Sequence, residues 1–313
     1  MDDLFDHYDL SAILQTLRAA DEKYVRAIQA DLDENGFSVV RGVLSQAEVA
    51  EIYAEFHHWR ESTPQLQALH PIISPHGIYK LGGVGQTRHA WLTRTNPALL
   101  SLMKQLYKCD ELVASFDGMC YIPPTERKRD NVWTHTDQSP FMKGEQGLQS
   151  FVSLTANKTR TFVAYAGSHL LHEPYFAARV DGDPKWKKNF LFIEPEFLES
   201  IKHTRVEIET QPGDLVLWDS RTFHQNQYGP DAEERVVQYV AYMPKDDPRN
   251  TPAMKRKRQE YFEDGRTTTH RAYPISVNGK QPQTYGDNSR LIDYSALPAP
   301  DLADLMPAIR KLI

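Results

Sequence analysis

The run Trp133-Thr134-His135-Thr136-Asp137 holds two metal-binding groups at a spacing that lets them work together. Successive side chains of an extended strand point to opposite faces, so His135 and Asp137, two positions apart, share a face and can grip one ion. His224 supplies a third donor. Two histidines and one carboxylate leave metal positions open, a set suited to non-haem Fe(II) and oxygen chemistry. Between His224 and Arg235 lies the turn sequence Tyr228-Gly229-Pro230-Asp231, and folding the chain symmetrically about Gly229 and Pro230 sets residue 224 opposite residue 235. An arginine beside the metal would answer the distal carboxylate of 2-oxoglutarate, because its guanidinium is planar, permanently charged and bidentate. Each piece alone has a plainer reading: His-x-Asp triplets arise by chance, a lone histidine is more often structural, and Arg facing His can be a surface pair. Together, with strand-like sequence between them and a Gly213-Asp214 turn feeding the apolar run 215–218, they favour a metal centre.

The elements that must position these residues read as short strands at 113–122, 132–135, 148–154, 161–165, 205–208, 214–218 and 235–242, separated by Gly, Pro, Asn and Asp clusters. Many short strands, with ligands far apart in sequence sharing one site, predict a jelly-roll or double-stranded β-helix core over about 113–244. Helical cover is expected over about 1–112. Leu10, Ile13, Leu14 and Leu17, then Tyr24, Val25, Ile28 and Leu32, recur at helical spacing, and Asn35-Gly36 is a fitting stop. A second helix opens at Ser45 with a capping box to Glu48 and an apolar stripe of Val49, Ile52, Tyr53, Phe56 and Trp59. Residues 63–95, rich in Pro and Gly, read as a long irregular loop, and its glycines lack the strand-to-helix setting of a phosphate loop. Residues 170–203 read as an insertion suited to a lid. The extension 245–313 begins with a helix whose Lys255-Arg256-Lys257-Arg258 suggests a solvated face and ends in an amphipathic stretch at 302–313. It is expected to pack on the core, leaving the whole of 1–313 as one domain.

Composition excludes several classes. A net charge of −6 gives no broad basic face for nucleic acid. The acidic start Met1-Asp2-Asp3 and the lack of any long apolar run argue against a leader or membrane span, and the two cysteines, Cys109 and Cys120, make no disulfide framework. A soluble cytoplasmic enzyme is the expectation.

At its motif residues the chain resembles the phytanoyl-CoA dioxygenase-like family of Fe(II)/2-oxoglutarate oxygenases. The resemblance runs from 35–44 (Asn-Gly-Phe-Ser-Val-Val-Arg-Gly-Val-Leu) through Tyr121-Ile122-Pro123-Pro124, the His135/Asp137 triplet and Ala166-Gly167-Ser168-His169 to the stretch 213–235. It implies that His135, Asp137 and His224 hold iron, that Arg235 binds 2-oxoglutarate, and that Lys80 and Gln149 are further cosubstrate contacts. Relatives often carry Ser or Thr near the arginine or two residues after the distal histidine. Here Val237 and Asn226 stand there, and Asn226 can still donate to a carboxylate. The implied reaction is hydroxylation of a small molecule, with O2 and 2-oxoglutarate consumed and succinate and CO2 released.

Substrate identity is less legible. Trp133 shares the strand parity of His135 and would wall a pocket, or simply be a core tryptophan. Arg88, His89 and Arg94, with Arg127, Lys128 and Arg129, would make a mouth attractive to an anion, although charged loops are usually just solvated. A jelly-roll binding module without turnover, or an oxygenase of protein substrates, stays open.

Overall fold

The computed structural model describes residues 22–74, 76–126, 130–181 and 183–313, so the expected helix at 10–17 and Arg127, Lys128 and Arg129 lie outside the described residues. Helix α1 (Glu22–Asn35) buries Ile28 and Leu32 and stops at Gly36, whose φ of +79° is the left-handed ending expected there. No side chain fits at that position: a Cβ would lie 2.5 Å from the His169 ring and 2.7 Å from Thr222. Strand β1 (Phe37–Val40) leads to α2 (Gln46–Ser62), opened by the predicted box, in which Ser45 accepts from Glu48 N and the Glu48 carboxylate accepts from Ser45 N. Such a cap stabilises a helix by about 1 kcal/mol. Val49, Ile52, Phe56 and Trp59 are its buried stripe.

Residues 63–95 are not the irregular loop that their prolines and glycines suggest. They form α3 (Pro64–Ile73), β2 (Ile78–Tyr79), a 3-10 turn at Val84–Gln86 and α4 (Arg88–Arg94). Pro64 sits in the first helical turn, where a missing N–H costs nothing, and Pro71 falls only two residues before its helix ends. Burial of Leu66, Leu69, Val84 and Trp91 then fixes the stretch to the core.

There follow α5 (Pro97–Tyr107), β3 (Leu112–Ala114), β4 (Met119–Ile122), β5 (His135–Thr136), β6 (Leu148–Ser153), β7 (Asn157–Tyr165), α6 (Ser168–Ala177), β8 (Leu191–Phe192), α7 (Pro195–Ser200), β9 (Arg205–Thr210), β10 (Leu215–Asp219), β11 (His224–Asn226), β12 (Arg235–Val240), β13 (Tyr242–Pro244), α8 (Pro252–Glu263) and α9 (Met306–Leu312). The strand expected at 113–122 is thus interrupted at 115–118, and that at 235–242 breaks at Ala241 to reach a different sheet.

The architecture is mixed α and β with antiparallel sheets: a large one ordered β1-β10-β6-β12-β4-β2, a smaller one ordered β8-β5-β11-β7-β9, and the pair β13-β3. Strand alternation assigns the faces. Leu215, Leu217, Val236 and Val240 join the helices in one hydrophobic cluster, while Val216, Trp218, Phe151 and Val237 meet Phe162, Ala164 and Ile208 of the smaller sheet in another. The insertion 170–203 covers the outer side of the smaller sheet, where Tyr175, Phe176, Leu191 and Leu198 pack on Val163, Tyr165 and Phe223. From the extension, Ile275, Ile292, Ile309 and Leu312 are buried in the helical cluster. On α8, Lys255, Arg256 and Lys257 are exposed, but Arg258 is fully buried and donates to Asn250 Oδ1 and Ala272 O at 2.9 Å each, so the basic run is only partly a solvated face.

Candidate metal centre

His135 and His224 stand directly opposite each other on β5 and β11. Asp137 follows β5, its N–H bonded to Ser220 O at 3.0 Å, while Thr136 Oγ1 donates to the same carbonyl at 3.0 Å. These tie the ligand strand to the turn ahead of β11. Each imidazole is oriented by a main-chain carbonyl: His135 Nδ1 lies 3.2 Å from Trp133 O and His224 Nδ1 lies 2.9 Å from Thr222 O. With the Nδ1 protons spent there, the Nε2 lone pairs face inward. They lie 3.8 Å and 3.3 Å from Asp137 Oδ2, and one donor atom from each of the three residues falls within 4.8 Å of the others. Three buried donors converging on one point form a set that could hold a metal ion. Burial, then the neighbouring His224, pushes the His135 imidazole down to about 3, so it offers a lone pair rather than a proton. Asp137 is held below the usual carboxylate range: burial alone would raise it, and His270, His135 and His224 together outweigh that.

The relation expected between His224 and Arg235 is corrected. They are not opposed residues of a hairpin, since β11 pairs with β5 and β7 while β12 pairs with β4 and β6 of the other sheet. The turn sequence bridges two sheets, and Gly229 at φ +65° lets it lie against Thr159, whose O would be 2.4 Å from a Cβ. Arg235 nevertheless approaches from across the sandwich. It is fully buried over the Phe151 ring, donating from Nη1 to Arg160 O at 2.8 Å and from Nη2 to Asn226 Oδ1 at 3.1 Å. Asn226 also donates to the Tyr239 hydroxyl at 3.0 Å, and both line the cavity that contains the triad.

That cavity, of about 680 Å³, opens between the two sheets, a size in the range that holds drug-sized ligands. Lys80, Trp133, Gln149 and Asn226 line it. Gln149 donates to Asp137 Oδ2 at 3.1 Å, and Trp133 stacks on His76 and His135 with ring centroids 3.9 Å and 5.0 Å away. Arg88 and His89 are not there. Arg88 pairs with Asp304 at 2.6 Å and Glu55 at 3.4 Å on the helical side, and His89 is fully buried against Phe56 and Trp59. Once α4 forms, His89 belongs to the core and Arg88 to a half-buried ion pair on the helical side. Arg94 likewise spends its guanidinium on Gly85 O and Asp117 O at 2.6 Å each.

Sequence reasoning missed several cavity residues. Tyr239 was available in principle, since it shares strand parity with Arg235. Asn189 and Phe190 come from the insertion noted as a lid candidate. Asp117, whose carboxyl burial pushes up to about 7, and His270, from the extension, left no signal. Among the described residues no helix is long and apolar enough to cross a membrane.

A family model described as phytanoyl-CoA dioxygenase (PhyH) matches residues 32–227. A curated relative, Ava biosynthesis cluster protein O of Aspergillus versicolor, is 31% identical over 176 residues, covering 52% of this chain and 56% of that protein, so the chain spans about half the length of the curated relative it matches. Among solved structures, the epimerase SnoN in complex with Fe3+, alpha-ketoglutarate and nogalamycin RO has a similar fold, with TM-score 0.50 and 20% identity, covering 72% of this chain and 85% of that one. EctD from S. alaskensis with 2-oxoglutarate and 5-hydroxyectoine gives TM-score 0.49 at 16% identity, covering 72% and 77%.

Proposed function

From membership in the phytanoyl-CoA dioxygenase family, to which the chain belongs, we propose that it is an Fe(II)- and 2-oxoglutarate-dependent oxygenase of a small molecule, built on a double-stranded β-helix. The observation that carries this reading is the convergence of His135 Nε2, Asp137 and His224 Nε2 on one buried point at the head of a cavity large enough for cosubstrate and substrate together. Iron bound there would supply oxygen activation coupled to decarboxylation of 2-oxoglutarate to succinate and CO2.

The chain's own residues do the rest. Trp133 O and Thr222 O fix the imidazole tautomers, and Gln149 steadies the Asp137 oxygen that faces both rings. Arg235, fully buried and bonded to Asn226, which lines the cavity, is the permanent cation that would answer the distal carboxylate of 2-oxoglutarate once Asn226 gives way, and Lys80 is a cation on the cavity wall itself. Trp133, Phe162 and Trp218 wall the triad with apolar surface that limits water. The test is release of CO2 from 2-oxoglutarate labelled at its first carbon. Decarboxylation that needs added Fe(II) and is lost in His224→Ala supports the proposal; decarboxylation absent from the iron-loaded parent contradicts it.

A further inference from the structure

The C-terminal extension does more than cover the core: it closes one side of the cavity with a short hairpin. Thr268 bridges Val277, Thr269 N donates to Ser276 O at 2.9 Å, and Asn278 N donates to Thr267 O at 3.2 Å. The hairpin is anchored at its base, where Thr268 N donates to Phe116 O at 2.9 Å and Phe116 N to Thr268 Oγ1 at 2.8 Å. It is pinned to the metal strand as well, through Arg271 Nη2 and Asp137 O at 3.0 Å. Thr269, His270, Ser276 and Asn278 therefore face the cavity from a built scaffold. His270 Nε2 is shut from solvent with no hydrogen-bond partner, a cost that a ligand atom would relieve. The lining also has apolar members, Ile73, Trp133 and Phe190, with Lys187 and Lys188 next to the last, and Phe192, packed 5.0 Å from Phe190, is 61% exposed.

We infer that this hairpin forms a substrate subsite in which His270 and Asn278 hydrogen-bond a hydroxyl or carbonyl oxygen of an otherwise apolar small molecule whose body lies against Phe190 and Trp133. Imidazole and carboxamide both offer N–H donors to such an oxygen. His270 and Asn278 offer neutral donors, so a neutral oxygen fits them better than a carboxylate, which the cavity's Lys80, Lys187 and Lys188 would take instead. The hairpin lies beyond the residues matched by the family model, so the subsite is a feature of this chain's extension.

The inference rests on the cavity being the substrate site of the proposed oxygenase, and the test separates the two. Binding of decalin, 2-decalol, 2-decalone and decalin-2-carboxylate is measured by saturation-transfer NMR on the full chain loaded with Zn(II) and 2-oxoglutarate, while metal occupancy is read independently from Mn(II) paramagnetic resonance. The parent should bind 2-decalol and 2-decalone about three- to tenfold more tightly than decalin, the scale of one neutral hydrogen bond. His270→Phe should abolish that preference while Mn(II) still binds, and His270→Asn should retain part of it. No preference in the parent, a preference for the carboxylate, or a His270→Phe variant that discriminates as the parent does would overturn the subsite. Failure of Mn(II) to bind would instead overturn the metal centre, leaving the probe ratios to decide the subsite by themselves.

Discussion

Two clusters of buried histidine and arginine stand on opposite faces of the large sheet, and only one is poised to bind anything. On the helical face, His89 and Arg94 line no part of the cavity: the imidazole bonds Thr87 Oγ1 through Nε2 at 3.0 Å, and the guanidinium holds two main-chain carbonyls and lies over Trp91. Between the sheets, His135 and His224 spend only Nδ1 on the main chain and leave Nε2 directed at Asp137 and the cavity. Burial alone therefore does not mark a site. What distinguishes the second cluster is unspent coordinating capacity facing open volume.

The contrast breaks most sharply at the ligands. His135→Ala or His224→Ala should weaken Mn(II) or Fe(II) binding by more than about a hundredfold, since even the outer partners of metal ligands are worth about ten- to a hundredfold. His89→Ala should leave metal affinity unaltered and lower the unfolding midpoint instead; calorimetric metal titration and thermal melts of the three variants decide this. Next come the two buried arginines. Arg235→Lys keeps the charge and loses the fork, so the 2-oxoglutarate requirement should rise about ten- to a hundredfold, corresponding to about 1.5–3 kcal/mol, whereas Arg94→Lys should leave the cosubstrate titration as in the parent. A smaller effect is expected of Gln149→Leu, which strips one donor from Asp137 and should reduce metal affinity about tenfold. Equal affinity in that variant would make the glutamine a bystander.

The last effect leaves the metal untouched and is a pH slope from the helical-face cluster. Burial pushes the His89 imidazole from 6.5 down to about 3, so between those values the unfolded chain takes up a proton that the native state refuses. Native stability contributed by this group is complete above pH 6.5 and is lost as pH falls toward 3. His89→Met should therefore flatten the dependence of urea-unfolding free energy on pH between 6.5 and 4. An unchanged slope would show that another group carries it.

How far this could be read from the sequence differs between the same two regions. The spacing of His135 and Asp137 marked a candidate pair although the strand ends at Thr136 and Asp137 lies just past it, and Ser45 with Glu48 was legible because a capping box is local. Which strands pair was not legible. Symmetry about Gly229 and Pro230 assigned His224 to Arg235, while the observed partners of His224 are His135 and Ala164, because a turn sequence does not say whether the chain stays in one sheet. Residues 63–95 misled for a related reason: helix-compatible prolines at 64 and 71 resemble loop prolines until Leu66, Leu69 and Trp91 are seen buried. His270 was invisible because nothing local announces a residue returned to the site by a tail nearly fifty positions after His224.

The central claim is that these three residues, and not another of the buried histidines, hold one metal ion. Anomalous diffraction at the iron edge from anaerobic crystals grown with Fe(II) addresses it directly. A single peak at bonding distance from His135 Nε2, His224 Nε2 and an Asp137 oxygen is the result expected. A peak at His70, His76 or His89 with none between His135 and His224 would contradict the account.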